Sequence, residues 1–415
     1  MSNPSSEPTS APRRAPPTPV PGGGPGPGGG DSRALAVGAD AVTTEFHNLL
    51  GKMVKARASD LFIKVGSPPS MRIDGRIRFL QDEPTTQEGA KKILHVLTKS
   101  RGGLGGHMDS AGHLTREIDL AYDVAKIGRF RVNVASQRGY LFFVFRTVSR
   151  ALHTFEDLFL PREPLERLAS VNRGLVLVTG VTGSGKSSTL AAMVNFINQS
   201  MNKHIVTIED PIEYVFKDKR SIITQREVGH DTQSFPLAIR AALRQAPDVL
   251  MIGEMRDLET MEAAIHAAET GHLVFSTLHT VNAQQTVERI INYFPPHQHE
   301  LIRMQLSMVL EGVVAQRLAP KKGGQGRVPA VELMIKSPTI VDMLREGRTT
   351  DLYKCMAESE YFGCQTFNQS IKKLYQDDLL SLEDAMKLAD NPEELKMELR
   401  GIVKGARATD FDFNF

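Results

Sequence analysis

The feature that most constrains this chain is a phosphate-binding loop, Gly180-Val181-Thr182-Gly183-Ser184-Gly185-Lys186-Ser187, followed by Ser188. In this pattern the glycines let the backbone approach phosphate, the lysine reaches the β- and γ-phosphates, and the hydroxyl binds Mg²⁺. The apolar run 175–178 precedes the loop, and a helical pattern begins near Ser187. This strand–loop–helix setting is the one that the chemistry requires. The sequence therefore predicts an α/β domain that binds a nucleoside triphosphate, with Ser187 as a Mg²⁺ ligand.

Three further predicted strands end in groups suited to hydrolysis. The strand 204–208 leads to Glu209, the strand 249–252 leads to Gly253 and Glu254, and the strand 273–277 leads to His279. The carboxyl ends of parallel strands meet at one edge of a sheet, where ligands bind. We therefore expect Glu254 to orient and activate the attacking water, Glu209 to support Mg²⁺ partly through water, and His279 to sense the γ-phosphate.

Other polar residues near these strands are candidates, each with two possible roles. Asp210 either supports the metal or caps a turn before Pro211, and His272 either takes part in catalysis or packs between strands. Arginines can stabilise the charge that develops during phosphoryl transfer, sometimes from another subunit. The alternative for each is a solvated arginine on an exposed face. The arginine candidates are Arg131, Arg138, Arg240, Arg244 and Arg256.

Composition and periodicity divide the chain into regions. A small α+β domain is predicted before the nucleotide-binding domain, with a helix over 44–55 and strands near 59–66, 71–73, 120–124, 130–134 and 140–147. Alternating strand and helix patterns then indicate a largely parallel sheet. The predicted regions are a disordered Pro/Gly-rich tail 1–36, the α+β domain 37–150, a linker 151–171, the nucleotide-binding core 172–335, a helical region 336–400 and a flexible tail 401–415.

Composition also excludes several classes of protein. No run of about eighteen apolar residues or secretory leader is present, so the sequence predicts a cytoplasmic protein without a transmembrane segment. Cys355 and Cys364 are the two cysteines, too few for a four-cysteine zinc site or a disulfide framework. A net charge of +2 and 6% aromatic residues disfavour a nucleic-acid translocase. No Asn-Lys-x-Asp segment would read guanine, which favours ATP.

With these residues in view, the chain resembles the type II/IV secretion ATPases, and within them the PilT/PilU family of pilus retraction ATPases. The resemblance runs from about residue 44 to residue 399 and depends on segments beyond the phosphate-binding loop. In that family the Gly-Glu ending of the Walker B strand is normal. The segments are 208–213, which resembles the Asp box; 244–248 with 252–257, the Walker B region; and 269–272 with 276–279, the His box.

The resemblance implies a fold and a mode of action. It implies a RecA-like P-loop ATPase domain, an N-terminal PAS-like domain and a C-terminal helical region, assembled as a homo-hexamer. ATP and Mg²⁺ would lie between the two domains, and hydrolysis would rotate them against their neighbours. Such a motor works at the inner face of the cytoplasmic membrane on an inner-membrane pilus platform protein, returning pilin to the membrane during twitching motility.

Two functions from the same family remain open at this point. The chain lacks the larger N-terminal region and the zinc motif of extension motors, and residues 363–369 resemble the retraction type. PilT proteins usually carry Ala-Ile-Arg-Asn-Leu-Ile-Arg, where this chain has Thr339-Ile340-Val341-Asp342-Met343-Leu344-Arg345. The leading hypothesis is therefore an ATP-hydrolysing retraction motor. The alternative is an accessory PilU-like partner of a paralogous retraction ATPase, with little force of its own.

Overall fold

The computed structural model describes residues 32–73, 75–99, 114–115, 117–148, 151–324 and 326–400, with side chains described from residue 43 onward. The stretch 1–31 and the segment 401–415, for which the sequence predicts disorder and flexibility, lie outside the described residues. The first helix begins at Ser32, so residues 32–36 are helical, whereas the sequence analysis assigned them to the disordered tail. The alanine and leucine residues in this stretch are strong helix formers. The prediction placed the boundary too late because many Pro and Gly residues precede them.

The N-terminal region is a six-stranded antiparallel sheet with two helices, in the strand order β3-β2-β1-β6-β5-β4. Its elements are α1 Ser32–Lys55, β1 Asp60–Lys64, β2 Ser70–Ile73, β3 Arg76–Phe79, α2 Gln87–Lys99, β4 Ile118–Val124, β5 Gly128–Gln137 and β6 Tyr140–Val148. Side chains alternate across the sheet, so Phe130, Val132 and Val134 of β5 enter the core. Arg129 and Arg131 therefore face the other side.

The second region is a seven-stranded sheet with the order β13-β12-β7-β11-β10-β8-β9. All neighbours pair in parallel except β12 and β13, so the predicted largely parallel sheet is confirmed. The elements are α3 Arg162–Ala169, β7 Gly174–Thr179, α4 Lys186–Ser200, β8 His204–Glu209, β9 Ile222–Glu227, α5 Phe235–Ala242, β10 Val249–Ile252, α6 Leu258–Glu269, β11 Leu273–Leu278, α7 Ala283–Tyr293, α8 His299–Val309, β12 Leu310–Pro320 and β13 Arg327–Ile335.

Helices cover both faces of this second sheet. The strands β7, β10 and β11 are buried at every position, as expected for parallel strands with two covered faces. One core contains residues of α5, α6, α7, α8 and β12, and the other contains residues of α3 and α4. The sheet is therefore a support with two covered faces, and the polar groups that follow β8, β10 and β11 lie at the ends of those strands.

Five short helices complete the described chain: α9 Pro338–Glu346, α10 Leu352–Glu358, α11 Phe367–Gln376, α12 Leu382–Leu388 and α13 Pro392–Leu399. The predicted break at 391–392 is the start of α13, where the Asn391 side chain accepts from the backbone N–H of Glu394. Arg317 of β12 holds these helices, because its guanidinium lies 3.9 Å from the Phe367 ring centroid and 2.6 Å from Asp390 Oδ1. None of the helices in the described ranges has the length and apolar character needed to span a bilayer.

One ion pair joins the two regions beside the sheet edge that carries the polar groups. Arg129 of β5 places Nη2 3.1 Å from Glu227 Oε2 at the end of β9, and both side chains are largely buried. The same Glu227 oxygen accepts from the backbone N–H of Ile212 at 3.3 Å. The N-terminal sheet is thus held against the loop that follows β8.

A glycine in β12 is predicted to be required for packing. A Cβ on Gly312 would lie 2.8 Å from Leu168 Cδ2 and 3.0 Å from the Met334 carbonyl oxygen. We expect Gly312→Ala to lower the free energy of unfolding by about 1–3 kcal/mol, because overpacking forces the neighbours apart. Denaturant titration of the purified chain measures this change.

The matched control is Gly51→Ala within α1, where the nearest atom, Ile127 Cδ1, is 4.0 Å from the added Cβ. This variant should gain about 0.5–1 kcal/mol, because alanine loses less backbone entropy in a helix. Equal stability of the Gly312→Ala variant and the unmodified protein would contradict the packing argument.

Candidate active site

The phosphate-binding loop connects β7 to α4 and is held open by glycines. Gly180, Gly183 and Gly185 have φ values of 142°, 81° and 99°, which side chains other than glycine rarely adopt. At Gly180 a Cβ would also lie 2.5 Å from the Gln316 carbonyl oxygen. The first N–H groups of α4 are therefore free of side-chain cover and suited to bind phosphate oxygens.

Lys186 is folded back across the loop. Its Nζ donates to the carbonyl oxygens of Gly180 at 2.8 Å and Val181 at 3.1 Å. Burial lowers the pKa of Lys186, and the negative charges of Glu254 and Glu213 oppose this effect. The ammonium thus lies in the loop with neutral acceptors, and an arriving phosphate would supply the missing anion.

The loop opens into a cavity of about 1050 Å³ between the two sheets. The structure brings most of the predicted site residues to this one cavity. Among those lining it are Thr182, Gly183, Ser184, Gly185, Lys186, Ser187, Ser188, Glu209, Asp210, Glu254, His279, Arg131 and Arg256. Gly180 and Val181 do not line it, and they contribute the carbonyl oxygens that hold Lys186.

Glu254 lies where the ends of β10 and β11 meet. Its Oε2 is 2.6 Å from Arg256 Nε and 3.5 Å from His279 Nε2, and its side chain is 17% exposed. Thr277 fixes this arrangement by donating its hydroxyl to the Gly253 carbonyl at 2.7 Å. A carboxylate, an imidazole and a guanidinium therefore converge in the cavity into which the phosphate-binding loop opens.

Glu209 is a buried acid with several donors. Its Oε1 accepts from Thr207 Oγ1 at 2.7 Å and from Gln225 Nε2 at 3.2 Å, and its Oε2 accepts from the Glu213 N–H at 3.2 Å. Burial raises the pKa of Glu209 to about 7 despite these bonds. The carboxyl is therefore fixed in direction and poised to gain or lose a proton near neutrality.

The N-terminal sheet contributes two arginines to the cavity, one of which the sequence reading missed. Arg131 faces Asp210, where burial raises the pKa of the carboxyl and Arg131 partly offsets the effect. Arg146 also lines the cavity and is paired with Asp60 at 2.9 Å. Arg131 and Arg146 are direct partners across β5 and β6. The alternation of buried and exposed residues along β6 shows which face of the strand carries Arg146. Only the strand register shows that Arg131 and Arg146 share that face.

Four candidates lie away from the cavity within this chain. Arg138 occupies the turn between β5 and β6, and Arg240 pairs with Glu259 at 2.9 Å. Arg244 donates to the Arg240 carbonyl. His272 precedes β11, at the opposite end of that strand from His279, and its Nδ1 is 3.0 Å from the Ala267 carbonyl. Contacts of the three arginines with nucleotide, including contacts across a subunit interface, stay a prediction, as does a catalytic role of His272.

Comparison with known proteins places this geometry in a family. The family model described as type II/IV secretion system protein matches residues 143–377. The type IV pilus ATPase PilU of Pseudomonas aeruginosa is 42% identical over 86% of this chain and 91% of its own length. PilT of the same organism is 41% identical over 83% of this chain and 98% of its own length.

The chain belongs to the PilT/PilU family of type II/IV secretion ATPases.

A crystal structure of the pilus retraction motor PilT with bound ADP has a TM-score of 0.76 and 46% identity, and it covers 84% of this chain and 98% of its own. This likeness confirms the predicted RecA-like domain with an N-terminal PAS-like domain and a C-terminal helical region. The Legionella pneumophila ATPase DotB, at 23% identity and a TM-score of 0.70, shares the fold. This PilT/PilU-family member is accordingly an ATPase, and the cavity between its sheets is its candidate active site.

The donor atoms of this PilT/PilU-family site suit Mg²⁺ carried by nucleotide. In the described ranges no group of three or more His, Cys, Asp or Glu side chains could hold a metal alone. Mg²⁺ usually takes one or two protein oxygens and completes its shell with phosphates and water. Ser187 and Glu209, which line the same cavity, fit that arrangement. We infer that they hold the ion, Glu209 partly through water.

The Mg²⁺ role of Glu209 predicts a pH dependence of binding. A carboxyl with a pKa of about 7 must lose its proton to favour the cation. The gain in ADP affinity on adding Mg²⁺ should therefore increase up to tenfold per unit from about pH 6, and level off above about pH 8. Calorimetric titration with and without Mg²⁺ measures this gain. Glu209→Gln should retain only the dependence due to the nucleotide's own phosphates, and an unchanged profile in that variant would contradict the assignment.

Proposed function

We propose that this chain is an ATP-hydrolysing motor that powers type IV pilus retraction, and thereby twitching motility. The observation that carries the proposal is the complete hydrolytic set of Lys186, Ser187, Glu254 and His279 around one cavity. It occurs in a chain that covers 98% of a PilT retraction ATPase at 41% identity. A related twitching motility protein of Neisseria gonorrhoeae is 39% identical over 86% of its length.

Each residue of the set has a task in hydrolysis. Lys186 exchanges the two carbonyl oxygens that it now contacts for the β- and γ-phosphates. Glu254 orients the attacking water and takes its proton. The side chain of Arg256 is 73% exposed and can leave Glu254 as water and phosphate arrive. His279 and Arg131 then stabilise the charge that develops on the phosphoryl oxygens, while Mg²⁺ would neutralise charge on the β- and γ-phosphates.

The position of the cavity between the two regions supports a coupling of hydrolysis to movement. Arg131 and Arg146 belong to the N-terminal sheet, whereas Lys186 and Glu254 belong to the ATPase sheet. Release of the γ-phosphate removes the anion that both sheets share, and the two regions can then rotate. We propose that this rotation passes around a homo-hexamer, in which arginines such as Arg240 or Arg244 act across subunits.

We further propose the partners and location that the retraction role requires. The motor would act on an inner-membrane pilus platform protein, from the cytoplasmic face of the membrane. This assignment rests on the likeness to PilT and PilU. Nucleic acid is not expected as a partner, because the net charge of +2 is close to balance.

The second candidate function is an accessory, PilU-like role beside a paralogous retraction ATPase. PilU is as similar to this chain as PilT is, at 42% identity over 91% of its length. The segment 339–345, where PilT proteins usually have their retraction signature, forms most of α9 and differs in sequence. Its Arg345 is paired with Asp342 at 3.7 Å, and both side chains are more than half exposed.

Genetic replacement in the native host tests the proposal and separates the two roles. The chain should restore twitching to a strain from which its own gene is deleted, and Lys186→Ala should not, because it removes the phosphate-binding ammonium. Deleting the paralogous ATPase as well distinguishes the candidates. Twitching restored without the paralogue supports the autonomous motor, and restoration only in its presence supports the accessory role. No effect of the deletion on twitching would contradict both.

A further inference from the structure

The nucleotide cavity has a second, apolar wall that hydrolysis does not use. Glu254, His279 and Glu209 follow β10, β11 and β8, which lie on one side of β7 in the sheet. Leu318 of β12 and Pro329 of β13 line the same cavity from strands on the other side of β7. Leu318 is near the loop, because its Cδ1 would lie 3.9 Å from a Cβ on Gly185. The phosphate-binding loop therefore lies between the hydrolytic residues and an apolar wall that begins with Leu318 and Pro329, although Gln316 and Arg327 of the same strands also line the cavity.

Phe159 completes the apolar wall in an unusual conformation. Its φ is 55°, a left-handed value that is rare for a bulky side chain and that costs conformational energy. Its neighbours Phe155 and Leu160 are buried, whereas Phe159 is 40% exposed and lines the cavity. A backbone hydrogen bond from the Phe159 N–H to the Glu156 carbonyl at 3.0 Å fixes the turn. The strained turn thus presents an aromatic ring to the cavity rather than to the core.

A cation also contacts the ring of Phe159. Lys321, just after β12, places its Nζ 4.8 Å from the Phe159 ring centroid. Such a contact orients the ring and ties the segment before α3 to the strand that carries Leu318. The contact between Lys321 and Phe159 therefore connects the linker 151–171 to the ATPase sheet.

We propose that Phe159 is the residue on which the base of the bound nucleotide stacks. A nucleotide offers phosphates at one end and a flat aromatic base at the other, and this cavity offers an anion-binding loop beside an aromatic and aliphatic wall. Stacking tolerates any base, because every base has a π-face. Phe159 thus contributes affinity for purine nucleotides without selecting adenine over guanine. The inference rests on the nucleotide use in the proposed function and names its base subsite.

The absence of tryptophan from the sequence gives a direct test. Phe159→Trp introduces a single indole at the proposed stacking position. ADP and GDP should both quench its fluorescence, whereas inorganic tripolyphosphate, which has no base, should bind the loop without this quenching. The matched control is Tyr361→Trp, at a side chain that is 94% exposed and does not line the cavity. Its fluorescence should not respond to ADP.

A second variant separates stacking from a structural role. Phe159→Gly removes the ring and relieves the positive φ, so the purified full chain should be at least as thermally stable as the unmodified protein. Its ADP affinity should fall roughly 5- to 100-fold, as expected for one lost stacking contact, with tripolyphosphate affinity unchanged.

Two outcomes would overturn the proposal: unchanged ADP affinity in Phe159→Gly, or a Phe159→Trp protein that binds ADP without a change in fluorescence. Both readouts are independent of pilus movement, so failure of retraction in cells would leave them unaffected. If the unmodified protein does not bind ADP, that result would instead contradict both the proposed function and this inference.

Discussion

The ammonium of Lys186 is buried beneath the phosphate-binding loop, where no carboxylate of the described residues is in direct contact with it, and this constraint organises the site. It is satisfied by the carbonyl oxygens of Gly180 and Val181, which can approach only because glycines give the loop its backbone conformation. A buried charge with neutral acceptors is costly, and burial lowers its pKa accordingly. Phosphate relieves that cost. The affinity of the loop for a polyanion therefore follows from the fold itself.

The sheet order turns this binding loop into a hydrolytic site. Because β11, β10 and β8 run parallel to β7, their ends bring His279, Glu254 and Glu209 to the same edge. The N-terminal sheet covers that edge and adds Arg131 and Arg146. Glu227 connects the two regions, since it accepts from both Arg129 and the Ile212 N–H. Chemistry at the γ-phosphate and the relative position of the two sheets are thus linked through a few named contacts.

Site residues that depend on a local sequence pattern could be identified from the sequence. Site residues that depend on pairing between distant strands could not. The loop, Glu254, Glu209 and His279 could be found because each follows a predicted strand, and parallel strands bring such ends together. His272 precedes the predicted strand 273–277 and His279 follows it, so the two histidines lie at opposite ends of β11. Arg146 and Gln225 were missed because their roles depend on pairing with distant strands. Phe159 was missed because a positive φ is visible only in the folded backbone.

ATP turnover of the purified protein and of Glu254→Gln, with assembly state and ADP affinity measured on the same samples, tests the catalytic assignment most directly. Glu262→Gln is the matched control, because Glu262 is an exposed acid on α6 that does not line the cavity. We expect Glu254→Gln to lose about 10²–10⁴-fold in turnover, with assembly and ADP affinity unchanged and the control fully active. Absence of turnover in the unmodified protein despite ADP binding, or normal turnover in Glu254→Gln, would contradict an autonomous ATP-hydrolysing motor with Glu254 at its centre.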